Sequence, residues 1–390
     1  MTFKSGRHFL QIPGPSNVPD RILHAIGQPT IDHRGPEFQK ISKEVLLGLQ
    51  RIFKTTGPVL IFPTSGTGAW EASLINTLSP GDKVLMFETG HFATLWANMA
   101  RKFGLEVDFV PTNWRHGADP QIVLEKLKKD KGHLIKSVNI VHNETSTGVK
   151  SRISEIRKAI DAANHPALFM VDTISSLGSV DYCHEEWKVD VTISCSQKGL
   201  MLPPGLGFNA VSEKALAASR PNTLKRHFWD WNDMLKSNEI YLYPSTPCTN
   251  LLFGLRESIK ILEEEGLDNV FARHDRFAEA TRRAVKAWGL EVLCEEPLEY
   301  SSVLTTVMMP EGKGADNLRK VILDNFNMSL GNGLSKVADK VFRIGHLGDL
   351  SDLTLIGTLA GVEMGLELAK VDHTKGGVAA AMEYLIEKAI

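Results

Sequence analysis

A lysine and an aspartate that follow two apolar segments are the residues in this chain best suited to chemistry. Asp172 ends the segment Leu-Phe-Met-Val-Asp, and Lys198 lies further on in Cys-Ser-Gln-Lys-Gly. An acid at the end of one strand and a lysine at the end of the next-but-one can hold the two ends of a pyridine aldehyde. The amine forms an imine with the aldehyde, and the carboxylate keeps the ring nitrogen protonated. Such a pair is weak evidence for a cofactor site by itself, because Asp and Lys end many buried strands.

Each member of the pair has a role that its surroundings can support. Asp172 stays ionised beside an apolar strand if a pyridinium cation lies next to it. Lys198, once substrate displaces it, can carry a proton between the substrate Cα and C4′ of the ring. A surface lysine is the alternative interpretation of Lys198. The apolar strand before it and the Gly- and Pro-containing segment 199–205 after it disfavour that alternative.

A second motif is suited to binding an anion. Segment 64–68, Thr-Ser-Gly-Thr-Gly, follows a predicted strand and opens a predicted helix. Backbone N–H groups at a helix start, with hydroxyl groups beside them, can hold a phosphate. The segment is neither a Walker loop nor a dinucleotide-binding GxGxxG motif. An ordinary strand-to-helix turn is the alternative, and the presence of Asp172 and Lys198 favours phosphate binding.

Three further side chains can complete a site for such a ring and its substrate. Phe92 begins a predicted helix and can stack on the ring, although a phenylalanine is more commonly a core residue. Thr145 follows an apolar strand, and its hydroxyl can either bond a phenolic oxygen of the ring or cap a helix. Arg343 lies in an apolar strand, where an unpaired cation is costly. A substrate α-carboxylate would pair it through two parallel N–H bonds, and an internal salt bridge is the alternative.

The alternation of helical periods with short β-branched segments between about residues 40 and 215 predicts an α/β domain around a mostly parallel sheet. Sheets of this kind bind ligands beyond the carboxyl ends of their strands, where the motifs of this region fall. The predicted strands cover residues 59–62, 83–86, 107–110, 137–141, 167–171 and 191–195, and two of the predicted helices cover 69–78 and 91–103.

The remainder of the chain predicts an N-terminal arm and a second domain. Proline and glycine make residues 11–19 irregular, and a helix begins at about Asp20. After about residue 250, predicted helices (251–265, 269–288, 353–368, 378–389) combine with predicted strands (291–293, 302–308, 341–344) in a smaller α+β domain. We therefore predict an arm over residues 1–19, a large ligand-binding domain over 20–265 and a small domain over 266–390.

Composition excludes several classes of function. The 390 residues carry a formal net charge of -2 without a basic cluster, which disfavours a nucleic-acid partner. Four cysteines without CxxC spacing predict reduced, buried thiols and neither a metal site nor disulfides. No apolar segment is long enough for a bilayer, and the first residues lack the features of a signal peptide. These features predict a cytoplasmic protein with no membrane partner.

Taken together, the motifs resemble those of fold-type I pyridoxal-phosphate enzymes, and specifically the class V aminotransferases of the alanine-glyoxylate and serine-glyoxylate group. The resemblance covers about residues 8 to 370. It is carried by segments that stand in the family's order: Pro13-Gly14-Pro15-Ser16-Asn17, Ser65-Gly66-Thr67-Gly68, His142-Asn143-Glu144-Thr145-Ser146-Thr147-Gly148, Ser196-Gln197-Lys198-Gly199 and Arg343-Ile344-Gly345.

The resemblance implies a cofactor, pyridoxal 5′-phosphate, and roles for particular residues. It implies that Ser65, Gly66, Thr67 and Gln197 hold the phosphate. It also implies a homodimer in which each subunit supplies Tyr243 and Thr246 to the other's site, with the N-terminal arm wrapping the partner.

The resemblance also implies substrates. Segments 29–35, 90–96 and 345–349 are most similar to those of bacterial serine-glyoxylate members, which implies a ping-pong transfer of the amino group of L-serine to glyoxylate, giving hydroxypyruvate and glycine. Alanine, aspartate or ureidoglycine are the alternative donors. Animal alanine-glyoxylate members typically carry histidine and tryptophan where Thr67 and Phe92 stand here, which weakens alanine as the donor.

Donor preference is expected to depend on a few side chains around the substrate's β-substituent. His33 and Arg34 can lie near that substituent or form an interface ion pair. The aromatic segment 228–231 is another candidate, but packing under a loop or at a dimer interface is the favoured role of Trp229 and Trp231.

Two rival functions use other features of the same fold. A cysteine desulfurase needs a nucleophilic cysteine on a mobile loop, and none of the four cysteines lies in an obvious flexible loop near a site motif. A non-catalytic binding protein would have no need of Lys198, Asp172 and Arg343 together.

Overall fold

The computed structural model describes residues 6–389. Its strands are β1 (Phe9–Gln11), β2 (Val59–Phe62), β3 (Lys83–Phe87), β4 (Glu106–Val110), β5 (Ile135–Val141), β6 (Asn143–Glu144), β7 (Val149–Lys150), β8 (Leu168–Asp172), β9 (Val191–Cys195), β10 (Gly207–Val211), β11 (Glu291–Val292), β12 (Leu304–Met308), β13 (Met328–Asn332) and β14 (Val341–Gly345). Its α-helices are α1 (Asp20–Ile26), α2 (Pro36–Phe53), α3 (Gly66–Thr77), α4 (His91–Lys102), α5 (Pro120–Lys129), α6 (Ile153–Ala163), α7 (Glu213–Ser219), α8 (Trp231–Asn238), α9 (Thr249–Glu265), α10 (Leu267–Ala287), α11 (Ala315–Phe326), α12 (Asp352–Leu368) and α13 (Gly377–Glu387).

The large sheet has seven strands in the order β2-β10-β9-β8-β5-β3-β4. Strand β10 runs antiparallel to both of its neighbours, and the pairs from β9 to β4 are parallel. The prediction of a mostly parallel sheet is therefore confirmed. The strand at 207–211 was not predicted, because a short apolar segment after a glycine-rich turn carries no periodic signal of its own.

Alternation along the strands builds an apolar core on each face of this sheet. Phe169 and Val171 of β8 belong to one buried cluster, whereas Leu168 and Met170 belong to the other. Successive side chains of a strand point to opposite faces, so a strand covered on both sides must be apolar throughout. Helices α2, α6 and α9 contribute to the first cluster, and α3, α4 and α8 contribute to the second.

Strands β8 and β9 are direct neighbours in the sheet. Their pairing places Asp172 opposite Ile193, and Lys198 follows three residues after the end of β9. The expected separation by one intervening strand is therefore wrong: the acid and the lysine follow adjacent strands. The correction strengthens the expected contact, because the carboxyl ends of adjacent parallel strands lie side by side.

The small sheet has five strands in the order β1-β13-β14-β12-β11. Helices α10 to α13 pack around it, and an apolar cluster that includes Phe342 and Ile344 of β14 forms its core. Strands β1 and β13 were not predicted. Residues 9–11 pair with residues 328–330. This pairing between distant segments forms β1, and three residues are too few to predict it from the sequence.

The N-terminal segment lies against its own chain over residues 9–17. Beyond β1, the amide of Ser16 donates to the carbonyl of Gln197 at 3.1 Å, and its hydroxyl donates to the carbonyl of Lys198 at 2.8 Å. These hydrogen bonds are made within the chain, and the wrapping of a partner subunit by the arm stays a prediction. Residues 1–5 of the expected arm lie outside the described residues.

Most predicted element boundaries agree with the structure within a few residues. The exception that matters for the site is α3, which begins at Gly66 and not at the predicted position 69. Two glycines and a threonine in its first turn are poor helix formers, so propensity placed the start too late. Three of the four cysteines are buried, Cys248 is half-buried, and all four are free thiols.

Candidate active site

A cavity of about 210 Å³ opens at the carboxyl ends of β5, β8 and β9. Eight of the predicted site residues line it together: Ser65, Gly66, Thr67, Phe92, Thr145, Asp172, Gln197 and Lys198. They come from five separate segments of the chain. The crossovers of a parallel sheet return each segment to the same edge, which is how residues so far apart in sequence meet.

Lys198 is buried at the floor of this cavity, with 8% of its surface exposed. Its Nζ donates a hydrogen bond to the carbonyl of Pro13. Gly14 allows this contact, because a Cβ at that position would collide with the lysine side chain. Burial lowers the pKa of Lys198 to about 8, so near neutral pH more of this amine is uncharged and nucleophilic than at an exposed lysine.

Asp172 is 3% exposed and is held from two sides. Its Oδ1 accepts from the amide of Ile174 at 2.7 Å, and its Oδ2 accepts from the indole N–H of Trp70 at 3.1 Å. Burial nevertheless raises the pKa of this carboxyl group to about 7. A cation placed next to it would favour the ionised form, so the site is suited to a ligand with a basic ring nitrogen.

The first turn of α3 forms the anion-binding part of the cavity. Ser65 is the N-cap residue but makes no side-chain capping hydrogen bond, and Gly66 and Thr67 follow it. The free N–H groups of a helix start and the positive end of the helix dipole favour an anion at this position.

Two amide side chains at the cavity lack partners among the described residues. The Oδ1 and Nδ2 atoms of Asn143 and the Oε1 atom of Gln197 are buried without a hydrogen bond. Such atoms are costly to bury and are usually satisfied, so they indicate where a polar ligand would bind. By contrast, the hydroxyl groups of Thr145 and Ser175 hydrogen-bond each other across the cavity wall.

Arg343 is not among the residues that line the cavity. It lies behind Thr145, with Nη1 donating to the carbonyl of Thr145 at 2.7 Å and Nε donating to the carbonyl of Asn332 at 2.8 Å. Burial lowers its pKa to about 10. Within the described residues it forms no salt bridge, so the alternative of an internal ion pair is not realised.

Tyr243 and Thr246 also lie away from the cavity of their own chain. Tyr243 packs edge-on against Phe38 at 6.1 Å between ring centroids, and its hydroxyl is buried beside Ser42. Thr246 is exposed. Their predicted role in a second subunit's site stays a prediction.

The residues proposed to determine donor preference differ in their burial and hydrogen bonding. The Nε1 of Trp231 hydrogen-bonds Asn209 in the core, and that of Trp229 hydrogen-bonds Glu71, as expected for packing roles. Arg34 is exposed. The Nε2 atom of His33 is buried and has no partner in the chain from residue 6 to 389.

Three of the cavity-lining residues that the sequence analysis did not assign to the site have hydrogen-bonding side chains: Trp70, Asn143 and Ser175. Trp70 falls within the predicted helix over residues 69–78, and the need of a buried indole N–H for a partner is the signal that could have found it. Asn143 stood in a quoted motif without a role, and Ser175 carried no signal beyond its place three residues after Asp172. Among the described residues no cluster of His, Cys, Asp and Glu could hold a metal ion.

Comparison with known proteins agrees with this geometry. The fold is that of a fold-type I transferase. A solved pyridoxamine-pyruvate aminotransferase from Mesorhizobium loti superposes with a TM-score of 0.92 at 26% identity, over 98% of this chain and 97% of that one. The chain belongs to the aminotransferase class-V family, whose profile matches residues 9–346.

Two curated relatives differ in their named donor. A serine–glyoxylate aminotransferase from Methylorubrum extorquens is 48% identical over 99% of this chain and 98% of its own. An L-aspartate–glyoxylate aminotransferase from Paracoccus denitrificans is 45% identical over 96% of this chain and 95% of its own. No helix in the described part of the chain is long and apolar enough to cross a membrane.

Proposed function

We propose that this class V aminotransferase uses pyridoxal 5′-phosphate to move the amino group of L-serine to glyoxylate. The observation that carries the proposal is the buried pair Lys198 and Asp172, which line one cavity. The unpartnered amides of Asn143 and Gln197 and the helix start at Ser65 fit a phosphorylated, polar ring. When bound, the cofactor supplies an aldehyde that can carry an amino group and a ring that withdraws electrons.

The chain's own residues would bind and orient this group and move the proton. The first turn of α3 would bind the phosphate, and the Asp172 carboxylate would hold the ring nitrogen in its protonated form. Phe92 would cover the ring and exclude water. The Nζ of Lys198 takes the proton that leaves Cα of the donor amino acid, which a lysine with a pKa of about 8 can do near neutral pH.

Within one subunit, the charges around the cavity favour serine over aspartate. Among the residues that line it in the described chain, Lys198 is the one that carries a cationic group. A β-carboxylate would need a second cation to offset its desolvation, whereas a hydroxymethyl group needs only a hydrogen-bond partner. Aspartate remains the second candidate, because the Paracoccus relative named for it is almost as similar as the serine-named one.

A visible spectrum of the purified protein tests this proposal. We expect an absorption band of the lysine-bound cofactor that disappears on addition of L-serine and returns with glyoxylate. A band that ignores serine and bleaches with aspartate would keep the chemistry and replace the donor. No band after addition of pyridoxal phosphate would contradict the cofactor.

We also propose a homodimer with shared sites. Thr246 is exposed and Tyr243 is half-buried, and both lie outside the cavity of their own chain, so part of each residue can contact a second subunit. Mixing Lys198→Ala with Tyr243→Ala subunits tests this arrangement. In a mixed dimer one site contains both native residues, so the mixture should regain activity that neither parent has. Failure to regain it, with mixed dimers demonstrated by mass, would contradict sharing through Tyr243.

A further inference from the structure

Glu144 is a buried carboxylate that accepts hydrogen bonds from the helix start that carries Phe92, one of the residues lining the cavity. It has no exposed surface and lies in β6 between two residues that line the cavity, Asn143 and Thr145. Asn143 and Thr145 face the cavity, whereas Glu144 is not among the residues that line it. Its carboxylate lies against the start of α4.

The carboxylate completes the hydrogen bonding of that helix start. Its Oε1 accepts from the amide of Phe92 at 3.3 Å, and its Oε2 accepts from the amide of Ala93 at 2.9 Å. The preceding residue, Gly90, supplies no side-chain cap. A Cβ at Gly90 would collide with the Glu144 carboxyl group, so the glycine permits this close approach. A carboxylate here is also favoured by the helix dipole.

Ser146 joins the same network. Its hydroxyl donates to Oε1 of Glu144 at 2.7 Å and accepts from the amide of His91 at 2.9 Å. The first three N–H groups of α4 are thus bonded to side chains of the 144–146 segment, which lies on a different part of the chain. The position of Phe92 over the cavity depends on these bonds.

The segment also supports the substrate side of the site. The carbonyl of Thr145 accepts from Nη1 of Arg343, the predicted carboxylate-binding arginine. The negative charge of Glu144 also helps to keep the buried Arg343 cationic.

From this geometry we propose that Glu144 is a positioning residue: it fixes the ring of Phe92 and the Thr145–Arg343 contact, and through them the affinity for cofactor and donor. The inference rests on the proposed function. A helix cap with a merely structural role would support folding alone and leave both affinities unchanged.

The test compares two buried glutamates. Glu144→Gln keeps one acceptor oxygen and turns an NH₂ group toward the helix N–H groups. Glu299→Gln is the matched control, because Glu299 is buried and accepts from the amide of Gly117 at 2.8 Å, but it does not line or border the cavity. Both variants are expected to lower the thermal midpoint.

Only Glu144→Gln should alter ligand binding. We expect its dissociation constant for pyridoxal phosphate and its KM for the amino donor to rise by about 10-fold, with a smaller change in kcat, because misplaced binding groups weaken both contacts. Equal effects of the two variants on these constants would overturn the inference. Wild-type protein that binds no pyridoxal phosphate would instead overturn the proposed function.

Ser146→Ala provides a milder second variant in case Glu144→Gln does not fold. It removes the hydroxyl that links Glu144 to His91 and leaves the carboxylate in place. A rise of about threefold in both constants, smaller than for Glu144→Gln, is expected from the loss of one hydrogen bond. A folded Ser146→Ala protein with wild-type constants would count against the proposal.

Discussion

In the cavity, Asn143 and Gln197 bury polar atoms without partners, whereas His274 and His346 in the small domain are buried with both ring nitrogens bonded. His274 bonds the carbonyl of Val270 and the amide of Gly348, and His346 bonds the carbonyl of Ser302 and the hydroxyl of Thr305. These two histidines are therefore satisfied within the chain. The amide atoms of Asn143 and Gln197 are left for a ligand, at a cost to the stability of the free protein.

The titratable groups differ in the same way. Burial lowers the pKa values of His274 and His346 to about 3, so both are neutral and inert near neutral pH. In the cavity, burial lowers the pKa of Lys198 to about 8 and raises the pKa of Asp172 to about 7. Both values lie close to neutral pH. Groups poised near the working pH are those that can exchange protons with a substrate.

The largest expected effect is that of Lys198→Ala. Turnover should fall by about 10³-fold or more, because no other group in the site can act as both nucleophile and base. The thermal midpoint of the cofactor-free protein should change by only about 4 °C, since the buried amine contributes little to folding. Steady-state kinetics with calorimetry measure both. Unchanged turnover would remove the lysine from the mechanism and with it the proposed function.

Asp172→Asn should follow, with a loss of about 10²-fold in turnover. The amide cannot stabilise a protonated ring nitrogen. Asp190→Asn is its control, because Asp190 is also buried and accepts from the amide of Phe169 at 2.8 Å, at the other end of the strands. The control should lose stability and keep its kcat. If both variants lose turnover equally, the loss reflects packing and not the charge at the ring.

A matched pair of asparagines tests the comparison directly. Asn143→Ala removes amide atoms that have no partner, so the cofactor-free protein should keep its stability while cofactor affinity falls by about 10-fold. Asn209 is buried too, but its Nδ2 donates to the carbonyl of Ala69 at 3.1 Å. Asn209→Ala should therefore lower the free energy of unfolding by about 1–3 kcal/mol. Urea unfolding of the cofactor-free variants should show an unchanged free energy of unfolding for Asn143→Ala and a lowered one for Asn209→Ala. A large destabilisation by Asn143→Ala would mean that its amide is satisfied within the chain.

The smallest effect concerns acid stability. The pKa of His274 is lowered from 6.5 to about 3 in the folded protein, so below pH 6.5 only the unfolded chain binds this proton. The stabilisation is complete above that pH, and it falls by about 1.4 kcal/mol per pH unit as the pH decreases toward 3. His274→Gln should reduce the pH slope of unfolding by one proton. An unaltered slope between pH 6 and about 4.5 would show that the ring is not neutral in the fold.

The sequence predicted most elements and much of the site, but not how the elements pair. Asp172 and Lys198 could be identified from the sequence because a charged group at the end of an apolar strand is costly to bury without a partner. Their adjacency, the antiparallel β10 and the pairing of β1 with β13 depend on contacts between distant segments. Periodicity within a short window contains no information on such contacts.

What the sequence by itself determined is the alternation of strands and helices, the motifs at the strand ends and the family to which they belong. What only the tertiary structure decided is which side chains meet: Trp70 on Asp172, the carbonyl of Pro13 on Lys198, and Glu144 on the start of α4. The physical reason is that residue type and local spacing act along the chain. Hydrogen-bond partners and burial, which decide pKa and ligand access, are set by packing between segments far apart in sequence.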